Sequence, residues 1–169
     1  VENRLNGRVG YYRNHLTVEP YPADSLKLSD VELAWSITEG GGDDRFSKSG
    51  LRVVPMPTRL YIKKQPVWIY YEIYSLRRDA SGRTNYTVDY MIRSGSAPGL
   101  VSRIARAFQG GEQQVSVAQE QLGAREVEAN RMELDLSASA PGEIVVSVTV
   151  KDLISGQTAS KEAKFLVKE

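Results

Sequence analysis

The sequence predicts an all-β protein: an antiparallel Ig-like β-sandwich with an N-terminal extended arm and one short helical insertion. Apolar and polar residues alternate along several segments, among them residues 31–37 and 144–150, and side chains two apart on a strand share one face of a sheet. β-Branched and aromatic residues fill these segments, as strands prefer. Short turn sequences such as residues 79–82 separate them, which is typical of hairpins rather than of helical crossovers.

The chain is 169 residues long, which fits one domain with an appendage. We place the β-sandwich domain at residues 26–169. Residues 1–25 carry Gly and Pro at irregular intervals and are expected to form an N-terminal arm or the trailing edge of a preceding region.

Seven strands are predicted, near residues 31–37, 67–77, 84–93, 113–121, 131–137, 144–152 and 160–168. The two strongest hairpin predictions join 67–77 to 84–93 and 144–152 to 160–168, because each pair is separated by a short turn that contains Gly. Eight residues on the apolar faces are expected in the core: Leu33, Ile69, Ile73, Val88, Leu134, Val146, Val148 and Phe165.

One segment departs from the strand pattern. In residues 98–108 the apolar residues fall at positions 100, 101, 104, 105 and 108, which is the spacing of one helix face. Gly110 and Gly111 follow and would end the helix. We interpret the segment as a short helical insertion that covers an open end of the sandwich.

Composition excludes several classes of function. The chain has no Cys and a single His, His15, so thiol nucleophiles, Cys-type zinc sites and His clusters are ruled out. With 22 Lys and Arg against 21 Asp and Glu, it lacks the basic balance typical of nucleic-acid binding. No apolar run reaches the roughly 18 residues of a membrane span. No cofactor and no metal site are predicted.

The segment 67–76 is apolar on both faces, whereas a strand in a two-layer sandwich needs only one. Its second face carries Trp68, Tyr70, Tyr74 and Leu76. Three alternatives could cover this second face: the N-terminal arm, a protein partner, or a sugar stacked on the rings. The N-terminal arm is the expected one. Trp68, Tyr70 and Tyr74 are the candidate binding residues.

Paired carboxylates offer weaker candidates. Glu133 and Asp135 share one strand face, but acid–base catalysis needs environments that separate their pKa values, and the sequence supplies no apolar setting for them. The segment 39–44 combines three Gly with acidic residues, yet it lacks the ligand spacing of a calcium loop. We interpret both as solvated surface.

Four segments carry a family resemblance: residues 28–34 (LSDVELA), 54–61 (VPMPTRLY), 69–74 (IYYEIY) and 141–156, which runs from Pro-Gly-Glu to Ser-Gly. Together they resemble the C-terminal region of bacterial GWxTD-domain-containing exported proteins, over about residues 11–168. The Gly-Trp-x-Thr-Asp motif is absent, and Ile144 stands where the family usually has Tyr. The resemblance implies an exported accessory module of sandwich type and implies no reaction.

The sequence therefore predicts a non-catalytic, extracytoplasmic interaction or spacer module of a larger exported protein, and not an enzyme. Its expected partner is a protein or a neighbouring domain, with no nucleic acid and no membrane span. The alternative is a carbohydrate- or peptide-binding domain that uses the aromatic face. A second alternative is a carboxylate-based, glycoside-active enzyme.

Overall fold

A computed structural model describes residues 2–3, 5–11, 13–15, 17, 24–40, 42, 44–94, 114–137 and 139–169. Every regular element among these residues is a β-strand, so the predicted all-β class is confirmed. None of the described segments forms a helix that is long and apolar enough to cross a membrane. The predicted helical insertion at 98–108 lies outside the described residues.

Thirteen strands follow one another within the described residues. They are β1 (Glu2–Asn3), β2 (Arg8–Val9), β3 (Lys27–Leu28), β4 (Glu32–Glu39), β5 (Ser47–Lys48), β6 (Leu51–Pro55), β7 (Leu60–Ile62), β8 (Val67–Tyr74), β9 (Thr84–Ser94), β10 (Gln114–Gly123), β11 (Val127–Leu134), β12 (Gly142–Asp152) and β13 (Thr158–Lys168).

The strands form two large sheets and one small hairpin. The five-stranded sheet has the order β10-β9-β12-β13-β7. The six-stranded sheet has the order β11-β8-β4-β6-β5, with β3 also paired to β8. Strands β1 and β2 pair only with each other among the described residues. All pairings are antiparallel except that of β13 with β7, which is parallel and was not predicted.

One hydrophobic core lies between the two large sheets. It draws side chains from both, including Ile69 and Ile73 of β8 and Val146 and Val148 of β12. All eight residues predicted for the core are buried. Across the core, the Tyr71 hydroxyl of β8 lies 2.7 Å from that of Tyr90 on β9, and burial, the largest cause in each case, raises the pKa of both phenols. The pair therefore joins the sheets through neutral hydroxyls.

One of the two predicted hairpins is correct. Strands β12 and β13 pair along ten positions, from Gly142–Val167 to Lys151–Thr158. The predicted hairpin of 67–77 with 84–93 is wrong, because β8 and β9 belong to different sheets. Both edges of β8 are already occupied, by β11 on one side and by β4 and β3 on the other. The chain then crosses to the second sheet through Ser75, whose φ is +60°.

A β-bulge in β4 changes which face its residues occupy. The pairing of β4 with β6 shifts register between Ala34 and Ser36, and an extra residue reverses the alternation that follows it. Leu33 therefore lies in the main core, whereas Ile37 lies in a second cluster on the other side of the sheet. Trp35, at the shift, is 53% exposed. The prediction that all three share one face is wrong.

Asp152, at the end of β12, fixes the turn between β12 and β13. This side chain is fully buried and accepts hydrogen bonds from the backbone N–H of Arg77 at 2.8 Å, of Ile154 at 2.9 Å and of Ser155 at 3.2 Å. The Ser155 hydroxyl adds a bond of 2.6 Å. Burial alone would raise the pKa of Asp152, but these donors more than offset it and lower the pKa.

We expect Asp152→Asn to lower the free energy of unfolding by about 1–3 kcal/mol near neutral pH, because an amide nitrogen cannot accept from the buried donors. Since the folded pKa is lowered, the carboxylate contributes fully above its unfolded pKa of about 4 and loses its contribution as the pH falls through the folded value. The difference between wild type and variant should therefore shrink below about pH 4.

Urea unfolding at neutral and acidic pH measures this effect. Glu133→Gln, at an exposed position of β11, is the control and should change stability little. A difference between Asp152→Asn and wild type that stayed constant down to strongly acidic pH would contradict the assignment.

Candidate functional site

The candidate site is the outer side of the six-stranded sheet, the side of β8 that faces away from the main core. Ile69, Tyr71 and Ile73 point into the main core, so Trp68, Tyr70, Glu72 and Tyr74 share the outer side because side chains alternate. We call this surface the outer face. Leu76, predicted to lie on it, belongs instead to the main core, because the positive φ of Ser75 breaks the alternation.

The three candidate binding residues differ in exposure. Tyr70 is only 3% exposed, and Trp68 and Tyr74 are half-buried. Tyr70 forms a second hydrophobic cluster with Ala34, Ile37 and Val53, against which Leu51, Trp68 and Ala129 also pack. These residues come from β4, β6, β8 and β11, so side chains of neighbouring strands on the same side of the six-stranded sheet cover Tyr70.

The N-terminal arm contributes little cover where it is described. All described side chains of residues 5–17 are exposed, and Tyr11 is 86% exposed. Tyr12, Leu16 and Val18, three other apolar residues of the arm, lie outside the described residues. The cover of Tyr70 that the structure describes thus comes from β4 and β6.

Glu72 is the polar centre of the outer face. Its carboxylate accepts hydrogen bonds from the Tyr70 hydroxyl at 2.5 Å, from the Ser49 hydroxyl at 3.0 Å and from the Tyr74 hydroxyl. Ser49 reaches it from the turn between β5 and β6, where Ser49 and Gly50 have φ of +48° and +82°. The turn is therefore held near β8 although β4 lies between β8 and the β5–β6 hairpin in the sheet.

The electrostatics of Glu72 favour its ionised form. Burial alone would raise the pKa of this carboxyl, but the hydrogen bonds from Tyr70, Tyr74 and Ser49, with the nearby Lys48 ammonium, lower it overall. Burial and the Glu72 carboxylate raise the pKa of Tyr70. At neutral pH the phenol donates and the carboxylate accepts, so Glu72 holds no proton that it could give to a substrate.

Two open clefts flank Glu72. One, of about 380 Å³, is lined by Ser29, Asp30, Glu32, Lys48, Tyr70 and Glu72. The other, of about 450 Å³, is lined by Glu39, Gly40, Ser49, Gly50, Leu51, Arg125, Ala129 and Arg131. Ion pairs stand at both, between Lys48 and Glu32 in the first and between Arg131 and Glu39 at 2.8 Å in the second. Charged and polar side chains line both clefts beside apolar surface.

The other acidic residues weighed in the sequence have local structural roles. Asp135 accepts from the backbone N–H of Ser137 at 2.8 Å and from its hydroxyl at 2.9 Å, whereas Glu133 is exposed. Asp44 accepts from the Phe46 backbone at 2.8 Å and from Arg52 Nε at 2.9 Å. His15 is exposed. Within the described ranges, no three Asp, Glu or His side chains are grouped to hold a metal.

Sequence reasoning missed Ser49 and the bulge that exposes Trp35. Nothing in the spacing of residues 44–50 indicates that Ser49 meets Glu72, because the contact crosses 23 positions of chain. A bulge leaves a weak signal of its own in the pattern of apolar residues. For Glu72 the sequence did contain a signal. Its carboxylate lies between Tyr70 and Tyr74 on one strand face, where both hydroxyls can donate hydrogen bonds to it.

Comparison with known proteins adds no family. The chain matches no protein-family model, and no curated protein matches it. The likeness to GWxTD-domain-containing proteins therefore remains a prediction from the four sequence segments.

We expect Glu72→Ala to lower the free energy of unfolding by about 1–3 kcal/mol, because the Tyr70 hydroxyl would lose its acceptor in a buried position. Ser49→Ala should cost about 0.5–1.5 kcal/mol, the net worth of one hydrogen bond. In the double variant the two effects should not add, since both residues form the same contact. Denaturant unfolding of the four proteins measures the coupling, and strict additivity would contradict a direct role for Ser49.

The two tryptophans provide a separate check of the outer face. Trp35 should be quenched by acrylamide more strongly than Trp68, because Trp35 is exposed and Trp68 is half-buried. Trp35→Phe should leave blue-shifted, weakly quenched emission, and Trp68→Phe should leave red-shifted, strongly quenched emission. Equal quenching constants for the two variants would contradict these positions.

Proposed function

We propose that this chain is a non-catalytic, extracytoplasmic module with an Ig-like β-sandwich fold, which serves as an interaction or spacer module of a larger exported protein. The shared core of the two large sheets supports the sandwich. The resemblance in the four sequence segments supports export. Trp35 is the observation that carries the interaction role.

Trp35 lies within strand β4 with about half of its surface exposed. Its neighbours along β4, Ala34 and Ile37, are buried in the second cluster, whereas the indole is 53% exposed. Trp is enriched among the residues that dominate binding at protein interfaces, and a side chain held by a strand loses little freedom on binding. A partner that covers Trp35 would thus gain apolar contact at low entropic cost.

The outer face supports the non-catalytic part of the proposal. The Glu72 carboxylate accepts hydrogen bonds from the hydroxyls of Tyr70, Tyr74 and Ser49. At the turn between β12 and β13, the Asp152 carboxylate accepts from backbone N–H groups and from the Ser155 hydroxyl. In both cases the pKa is lowered, which suits a structural acceptor. A general acid that works at neutral pH needs a raised pKa.

Site-specific photo-crosslinking in the full-length protein, in the cells that make it, tests the proposal. A photoreactive phenylalanine analogue at position 35 should yield one discrete adduct with a protein or with another region of the same protein. The same analogue at Ser160, which is exposed near the start of β13 and bonds to Thr149 at 3.2 Å, is the matched control and should yield none. Adducts of equal amount at both positions, or none at position 35, would overturn it.

Stability measurements separate an interaction role for Trp35 from a structural one. Trp35→Ala should change the free energy of unfolding by less than about 0.5 kcal/mol, the usual effect at a surface position. Trp68→Ala should cost more, because Trp68 packs on the second cluster. Protection of Trp68 fluorescence by added oligosaccharides would instead favour the carbohydrate-binding alternative.

A further inference from the structure

A second exposed apolar surface lies at one edge of the five-stranded sheet, on the side that faces away from the main core. The register of β13 with β7 places Leu166 beside Leu60 and Lys168 beside Ile62. Tyr61 and Val167 point inward and are buried, so Leu60, Ile62 and Leu166 share the outward side. Ile62 is 56% exposed and Leu166 is 50% exposed. We call these three residues the β7–β13 patch.

Cations surround this patch. Lys164 and Lys168 flank Leu166 on the outward side of β13, and Arg59, Lys63 and Lys64 adjoin the two ends of β7. The Lys63 backbone donates to the Lys168 carbonyl at 3.1 Å, which holds these residues together. None of the five side chains forms an ion pair with another described residue.

Few carboxylates offset the five cations. Glu143 lies opposite Leu166 on β12, and Glu169 follows Lys168 in the chain. Glu162, two positions before Lys164, is already paired with Arg93 at 2.5 Å. The surroundings of the patch therefore carry a net positive charge, although the whole chain is close to neutral.

We propose that the β7–β13 patch docks the protein on an anionic phospholipid surface. This role goes beyond the interaction that we assign to Trp35 and uses a different sheet. Leu60, Ile62 and Leu166 would enter the headgroup region, and the lysines would contact lipid phosphates. Lys stems lie along apolar surface while their ammonium groups stay in water, which suits this boundary.

The composition of the patch favours a membrane over an acidic protein. Protein interfaces are depleted in Lys and rely on Trp, Tyr and Arg anchors that fill pockets on the partner. The β7–β13 patch is aliphatic, and four of the five cations around it are lysines. A fluid anionic surface requires no complementary shape, only positive charge and some apolar area to insert.

Co-sedimentation of the full chain with lipid vesicles tests the proposal. We expect binding to vesicles of phosphatidylglycerol and phosphatidylcholine, and none to phosphatidylcholine alone. Lys164→Glu with Lys168→Glu should weaken binding at least about tenfold, because each cation near an anionic membrane strengthens attachment several-fold. At roughly physiological salt the Debye length is about 8 Å, so the attraction between the lysines and the lipid phosphates is partly screened. Ile62→Ser with Leu166→Ser should weaken the binding that remains under these conditions.

Arg83→Glu with Lys151→Glu is the matched control, because both residues are exposed, lie outside the patch and give the same change in net charge. This control should bind nearly as well as wild type. Circular dichroism and thermal unfolding verify that each variant is folded.

Three results would overturn the proposal. The first is no binding to phosphatidylglycerol vesicles. The second is an equal loss of binding in the Lys164→Glu, Lys168→Glu variant and in the control, and the third is binding that does not change in the Ile62→Ser, Leu166→Ser variant. The last result, combined with dependence on the lysines, would show adsorption to the vesicles by charge alone, without insertion of the apolar residues.

Discussion

Strand β8 must bury both of its faces, and much of the architecture follows from that constraint. Its inner residues, such as Ile69 and Ile73, require a second sheet to complete the main core. Its outer residues, Trp68 and Tyr70, require a second cover on the opposite side. The hydrogen-bonding edges of β8 are filled as well, by β11 on one side and by β4 and β3 on the other. The chain therefore crosses to the second sheet after Tyr74.

The second cluster explains why the outer face is a structural element rather than an open platform. The register shift near Trp35 places Ile37 on the same side of the sheet as Tyr70, and the contact of Ser49 with Glu72 holds the turn between β5 and β6 in place. The same bulge leaves Trp35 about half-exposed. One extra residue in β4 thus helps to cover Tyr70 and at the same time exposes Trp35. The stability of the sheet is in this way linked to Trp35, the residue on which the proposed interaction depends.

The sequence was sufficient for features that depend on local pattern. Alternation placed Leu33, Val88 and Phe165 in the core, and the Gly-containing turn at 155–156 predicted the hairpin of β12 with β13. It was insufficient where long-range pairing decides the outcome. The parallel contact of β7 with β13 joins residues about a hundred positions apart, and the partners of β8 depend on which edges other strands have already filled. Alternation placed Trp68, Tyr70 and Tyr74 on one side of β8, as the structure has them, but it wrongly added Leu76. It also did not reveal the bulge in β4 that brings Ile37 to the same side.

The short strand β7 also determines how the five-stranded sheet ends. Beside the parallel pair, the Leu166 N–H donates a hydrogen bond to the Arg59 carbonyl at 2.9 Å. After the strand, the Gln65 N–H donates to the Ile62 carbonyl at 3.1 Å. Gln65 also approaches the Ile62 N–H through its side chain at 3.5 Å. A strand of three residues whose last backbone groups are occupied is a poor template for an incoming strand. Proteins with long exposed edge strands can associate edge to edge into polymers. At the β7 edge, the turn that follows the short strand opposes such association.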